Sequence, residues 1–295
     1  MYPSKRGAYI PSVVEKNAIF TIYEVPRKSA FSLKLPLFGI GLIFLLNTID
    51  YVYQRLFAFT KGLDYSTPQY QQYWMSVLWA ELIIEALVAL FVVVYLWQTR
   101  DRNLENLSPA EELKRYWIWG SFVLMYAFAV FIAAYYAEQD ATWHQTVIRD
   151  TSFTPSHIIE FYQSYPVYII LGLTLLMYAL TRLPQFAKAT SLPLVILVAS
   201  PLMIFPNVGL NEFGHTRWFM EEVFSAPLHW GFAIFAWGAL SLYGVLVTVC
   251  PRVYSLIDQV YLGAEVPSAS TVIENPEACI NPLFCSCEKN ILPNK

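Results

Sequence analysis

Long apolar stretches alternate with short polar ones along this chain. They run approximately over residues 36–57, 74–97, 116–137, 157–181, 191–210 and 227–250. Each is long enough to cross roughly 30 Å of hydrocarbon as a helix. The pattern predicts an all-α fold, a polytopic membrane helix bundle of about six transmembrane helices. Pro201 and Pro206 interrupt the fifth stretch and Gly209 follows it. In lipid such breaks survive where neighbouring protein or a polar cavity satisfies the freed backbone groups. That directs attention to residues 201–229.

The flanks set domain boundaries and orientation. Residues 1–35 read as a tail with an interfacial segment, 36–262 as the transmembrane domain, and 263–295 as a flexible tail rich in Pro, Ser, Gly and acids. Lys5, Arg6, Lys16, Arg27, Lys28 and Lys34 precede the first span. Arg100, Arg102, Lys114 and Arg115 fill the second loop, Arg182 and Lys188 the fourth, and Arg252 follows the last span. The opposite side shows only Lys61, Arg149 and Arg217. Basic residues concentrate on the cytoplasmic side, so both termini are expected there and the loops around 138–156 and 211–226 face outward. The N-terminus is polar and has no apolar core of a signal peptide, so no cleaved leader is expected.

Composition agrees. Of 295 residues, 56% are hydrophobic and only 14% charged, against about a quarter charged in a soluble domain. The net charge of −3 argues against nucleic acid as a partner. Cysteines at 250, 279, 285 and 287 contain no C-x-x-C pair, which argues against a disulfide framework. Cys279, Cys285 and Cys287 are either a soft-metal site or incidental thiols of a reduced tail.

The chain has four histidines, and all fall into two similar constellations. Asp140 precedes His144 by four residues, and His157 follows 13 later, two after Pro155. Asn211 precedes His215 by four, and His229 follows 14 later, two after Pro227. A spacing of four puts two ligands on one helical face, and proline favours the first turn of the next helix. Each set therefore combines a ligand pair at one helix end with a third ligand at the start of the next. Imidazole suits copper, zinc and iron, and a carboxylate adds a charged oxygen. Three protein ligands leave a coordination position open, as in catalytic sites. Iron competes with copper for a set of two histidines and a carboxylate. The alternative is a set of interfacial hydrogen-bonding anchors, with Asn211 capping a helix.

Asp50, Glu81 and Glu85 fall inside the first two spans. Charges at that depth face protein or water, so they form either a proton path or ion pairs, with Arg55 or with a basic residue of a partner. Glu138, Glu160, Glu212, Glu221 and Glu222 crowd the two histidine loops, as orienting acceptors or as solvated charges.

The runs EQDATWHQTVIRDTSFTPSHIIEFY (138–162) and PNVGLNEFGHTRWFMEEVFSAPLHWGF (206–232) resemble the C subunit of particulate methane monooxygenase and ammonia monooxygenase. The stretches WQTRDRNLENLSPAEELKRY (97–116) and MYALTRLPQFAK (177–188) fit the same family. The resemblance covers roughly residues 35 to 250. It implies a copper-dependent oxidoreductase, assembled with A and B subunits as a trimer of heterotrimers in a bacterial inner or intracytoplasmic membrane. Such an enzyme inserts one oxygen atom of dioxygen into methane, a short alkane or ammonia, with quinol as electron donor. It implies copper on Asp140, His144 and His157, which would be the catalytic set, and a second copper near Asn211, His215 and His229. The second-loop stretch and YWMSVLWAELIIEAL are closer to methane-type members. Arg217, where an aromatic residue is expected, and the long cysteine-bearing tail depart from the pattern. The rival readings are a transporter using the intramembrane acids and a protein that only scaffolds an oxidase.

Overall fold

A computed structural model describes residues 32–143, 151–187, 190–199 and 239–261. These residues are helical throughout apart from turns, with no strand among them. Four helices are long and apolar enough to span a membrane: α1 (Lys34–Lys61), α2 (Pro68–Gln98), α3 (Pro109–Trp143) and α4 (Pro155–Arg182). They contain the first four apolar stretches. Of the fifth and sixth, the described residues include α5 (Leu192–Ala199) and α6 (Leu240–Thr248). The intervening segment, the N-terminal tail through residue 31 and the tail from 262 onward lie outside the described residues.

The helices are longer than the stretches that announce them because their polar ends carry their own signals. Thr67 accepts the Tyr70 N–H on its hydroxyl at 3.2 Å and Pro68 occupies the first turn, so α2 starts in the polar run PQYQQY. Pro155 does the same for α4. Both helices then pass through one π-helical turn, Gln71–Met75 in α2 and Glu160–Ser164 in α4. In α4 the Tyr165 N–H reaches back five residues to the Glu160 carbonyl, which also accepts the Ser164 hydroxyl at 2.8 Å. Pro166 follows at once. It has no N–H for the Tyr162 carbonyl and its ring crowds the preceding turn, a local reason for the helix to widen there.

Residues 33–250 form one compact unit, and the helix α7 (Cys250–Tyr261) belongs from Pro251 onward to the other. Within the first unit α3 packs on α1 and α4, α4 also on α2, and α5 on α6. Lipid gives apolar helices little reason to associate, so close approach and polar links across helices hold them together. Ala129, Ala133 and Ala137, four apart on α3, are essentially fully buried and let the neighbouring helices come close. Gly172 of α4 lies against the Tyr126 ring of α3, and Gly244 of α6 lies against Leu197 of α5. Trp119 Nε1 donates to the Leu175 carbonyl at 3.2 Å, Tyr126 to the Val198 carbonyl at 2.8 Å and Tyr136 to the Asn47 carbonyl at 3.1 Å.

The two ends of the bundle differ. At one end Arg115 bonds Asp101 at 2.7 Å and the Arg182 carbonyl at 3.0 Å, while Arg182 reaches the Thr99 hydroxyl at 2.6 Å. At the other end the packing is aromatic: Tyr70, Trp74, Tyr136 and Trp143 enclose Ala58, Leu78, Ile158 and Ile159. The end of α3 and the start of α4, which carry Asp140 and His157, belong to this aromatic end.

Candidate metal centre

Of the six residues singled out as ligands, the structure describes Asp140 and His157. His144, Asn211, His215 and His229 lie outside the described residues. Asp140 sits in the last turn of α3 and His157 in the first turn of α4, and the structure brings the two together. Nε2 of His157 lies 3.3 Å from Oδ2 of Asp140, with Asp140 fully buried and His157 only 3% exposed. Among the described residues no group of three His, Cys, Asp or Glu side chains forms a ready cage.

The chain around His157 fixes its ring. Thr154 is extended and Pro155 opens the helix, so the turn from Pro155 to Ile159 is buried throughout. The Thr151 carbonyl accepts the Thr154 N–H at 3.2 Å and also faces Nδ1 of His157 at 3.1 Å. A carbonyl only accepts, so Nδ1 carries a hydrogen and Nε2 is the nitrogen presented to the carboxylate. The Phe161 ring stacks on the imidazole, with centroids 4.6 Å apart, and blocks rotation about the ring axis. Tyr70 donates its hydroxyl to the Phe153 carbonyl and pins the loop to α2. Gly62, just after α1, completes the seat, because a Cβ there would lie 2.6 Å from Pro155 Cγ and 2.7 Å from the Ala58 carbonyl.

The donor set suits a cation. A fully buried carboxylate that keeps its charge favours a positive partner, and the C-terminal end of α3 adds its own negative partial charge. At Nε2 the imidazole meets the carboxylate either through a second proton or through a cation that both atoms bind. Two donors each about 2.0–2.2 Å from a tetrahedral ion stand roughly 3.3–3.6 Å apart, and the observed 3.3 Å falls within that range. Hydrogen bonding at Nδ1 orients a ligating imidazole and raises its basicity.

Two features of this setting carry no local sequence signal, the Thr151 carbonyl and the Phe161 stack, and the π-helical turn has only Pro166 to announce it. Glu160, which sequence leaves between orienting acceptor and solvated charge, is 1% exposed and accepts the Tyr165 hydroxyl at 2.6 Å. The intramembrane acids are also clearer. Asp50, Glu81 and Glu85 are half-buried on α1 and α2, and among the described residues no ion pair joins Asp50 to Arg55. Each of the three acids has a buried oxygen without a hydrogen-bond partner.

The family profile for the C subunit of ammonia monooxygenase/methane monooxygenase matches residues 21–260. A search of curated proteins finds no match.

Proposed function

This chain belongs to the family of ammonia monooxygenase/methane monooxygenase C subunits, and on that premise we propose that it is the copper-holding membrane protein of the complex. The family makes it one part of a membrane monooxygenase. The observation that supports a metal role for this chain is the buried Asp140 carboxylate facing the oriented Nε2 of His157. In this reading Asp140 and His157 hold copper together with His144, and Asn211, His215 and His229 hold a second ion. A neutral amide in place of the carboxylate favours an ion of lower charge there.

The reaction consumes dioxygen, two electrons and two protons, and yields a hydroxylated substrate and one water. Quinol, soluble in the same bilayer, supplies the electrons and protons. Bound copper supplies the one-electron redox chemistry needed to engage dioxygen. The protein does the rest. Asp140 provides the negative charge that retains a cation at a membrane interface, and the Thr151 carbonyl keeps the imidazole in the ligating tautomer. Phe161 and the aromatic cluster restrict water. The spans present apolar walls to an uncharged substrate that offers little for polar recognition. We take that substrate to be methane or a short alkane, with ammonia as the alternative.

The deciding experiment compares copper content and copper EPR of the lipid-embedded complex with those of Asp140→Ala. The expected result is a loss of about one copper per protomer and of dioxygen-dependent oxidation, with the complex still assembled. Unchanged copper and activity would reduce this chain to a scaffold.

A further inference from the structure

The apolar stretches of this chain carry more negative charge than positive. Their acids are Asp50, Glu81, Glu85 and Glu160, and their one lysine or arginine is Arg55. Glu160 accepts the Tyr165 hydroxyl at 2.6 Å, and Arg55 is exposed on α1. Asp50 lies near the middle of α1 and Glu81 and Glu85 near the middle of α2, the depth at which a charge facing lipid is most costly. None of these three acids enters an ion pair among the described residues.

The packing places them along one groove. α1 packs on α3 and on the π-helical turn of α2, while the remainder of α2, Ser76–Gln98, packs on α4. No extended contact joins α1 to that remainder. The four helices therefore form an open arc, in the order α1, α3, α4, α2, with a groove between its two ends. At the aromatic end the groove is closed, because the Tyr53 hydroxyl donates to the Tyr73 carbonyl at 2.8 Å and the Tyr53 ring meets Trp74 edge-on. Inward of that bond Asp50 comes after about one turn of α1, and Glu81 and Glu85 after about two and three turns of α2. Leu46, one turn from Asp50, and Val88, one turn from Glu85, are exposed and share those helical faces.

Whatever fills such a groove is apolar over most of its length and positive near its middle. Lipid tails meet the first condition and fail the second. A metal ion does not fit, since among the described residues no three ligating side chains gather to cage one. Acids spread over two turns suit a long basic side chain instead. The spans of this chain offer only Arg55, which sits on α1 itself, and the family is that of a C subunit, one component of a complex. We propose that the groove between α1 and α2 is the docking surface for a transmembrane helix of another subunit, one that carries a lysine or arginine at mid-bilayer depth. Apolar contact supplies the fit, and the ion pair sets the depth and rotation of the incoming helix, because a base out of register would leave carboxylates in hydrocarbon. The proposal rests on the family's being part of a complex and not on the copper reading.

The test places the photo-crosslinker p-benzoylphenylalanine at Leu46 or at Val88, one on each wall, in the intact complex in lipid. Both positions should capture the same peptide, a membrane span of a different subunit that contains Lys or Arg. Asp50→Asn, Glu81→Gln and Glu85→Gln together keep size and remove charge, and should speed dissociation of that subunit in mild detergent about 10-fold or more. Glu81→Lys combined with Glu in place of the captured base should restore the slow dissociation that either change alone abolishes. Crosslinks to lipid alone, to a second copy of this chain or to a span without a base would overturn the proposal, as would unchanged dissociation in the carboxamide variant. Should that variant fail to insert, the crosslinks made with the native acids in place decide. A complex without copper or oxidation that still gives these crosslinks would keep the docking surface and sink the copper reading.

Discussion

Single residues decide how the histidine loop is seated, and Gly62 shows it most directly. Its φ of −118° suits any residue, so the requirement is space. A Cβ would meet Pro155, the Ala58 carbonyl and Trp74 Nε1, all within 2.8 Å. The Ala58 carbonyl is backbone and cannot turn aside, so the first turn of α4 must move. Overpacking of this kind costs about 1–3 kcal/mol. Gly62→Ala should therefore lower the thermal midpoint of the complex and reduce its copper content, because His157 moves with Pro155. Wild-type copper content and stability in this variant would show that the seat tolerates displacement. Asp140 and His157 were legible as a pair because their spacing and the proline beside His157 are local features of the sequence. The Thr151 carbonyl and the Phe161 stack were not, since a loop's path and a ring's neighbour are set by tertiary packing.

At the scale of elements, apolar length made the first four spans legible. The π-helical turns were invisible because a widened turn leaves no periodicity of its own, although Pro166 gives one of them a cause. The connection between α2 and α3 was legible only as a basic loop, and the structure shows how it is tied down. Asp101 accepts the Asn103 N–H at 2.8 Å and the Arg115 guanidinium at 2.7 Å. These bonds hold its carboxyl below the ordinary value of 3.8. A lowered folded value contributes stability above 3.8, and that contribution is lost as the pH falls through the folded value. Asp101→Asn keeps an acceptor for Asn103 and loses the charge. Its deficit in thermal midpoint should therefore be constant from pH 8 to about pH 5 and vanish in stronger acid. The partly exposed pair limits that deficit to about 1 kcal/mol or less. A deficit that grows on acidification would contradict the assignment.

For the whole molecule, burial sorts the spans into an inner and an outer pair. The most apolar windows of α3 and α4 are 44% and 50% buried, those of α1 and α2 only 11% and 6%. The outer α2 is also the most hydropathic, at 2.5 against 1.5 for α4, which is the order expected when one helix faces lipid or partner proteins and the other faces its own chain. Hydropathy alone does not sort all four, since the inner α3 at 1.9 exceeds the outer α1 at 1.7; burial and the polar links between inner helices depend on which faces meet. Four crossings return the chain to the side from which it began, so the start of α1 and the end of α4 share a side whatever the later spans do. That side carries Arg100, Arg102, Lys114, Arg115 and Arg182, and the rule for basic loops predicts it to be cytoplasmic. On that expectation the ends of α3 and α4 that carry Asp140 and His157 would face outward, which a labelling experiment tests. In a chain whose own cysteines are replaced by serine, Ser66→Cys, between α1 and α2, should react with an impermeant maleimide in intact spheroplasts. Asn106→Cys, at the basic end, should react only after the membrane is opened. The reverse pattern would place the Asp140–His157 pair on the cytoplasmic side, and metal delivery to it would then have to come from within the cell.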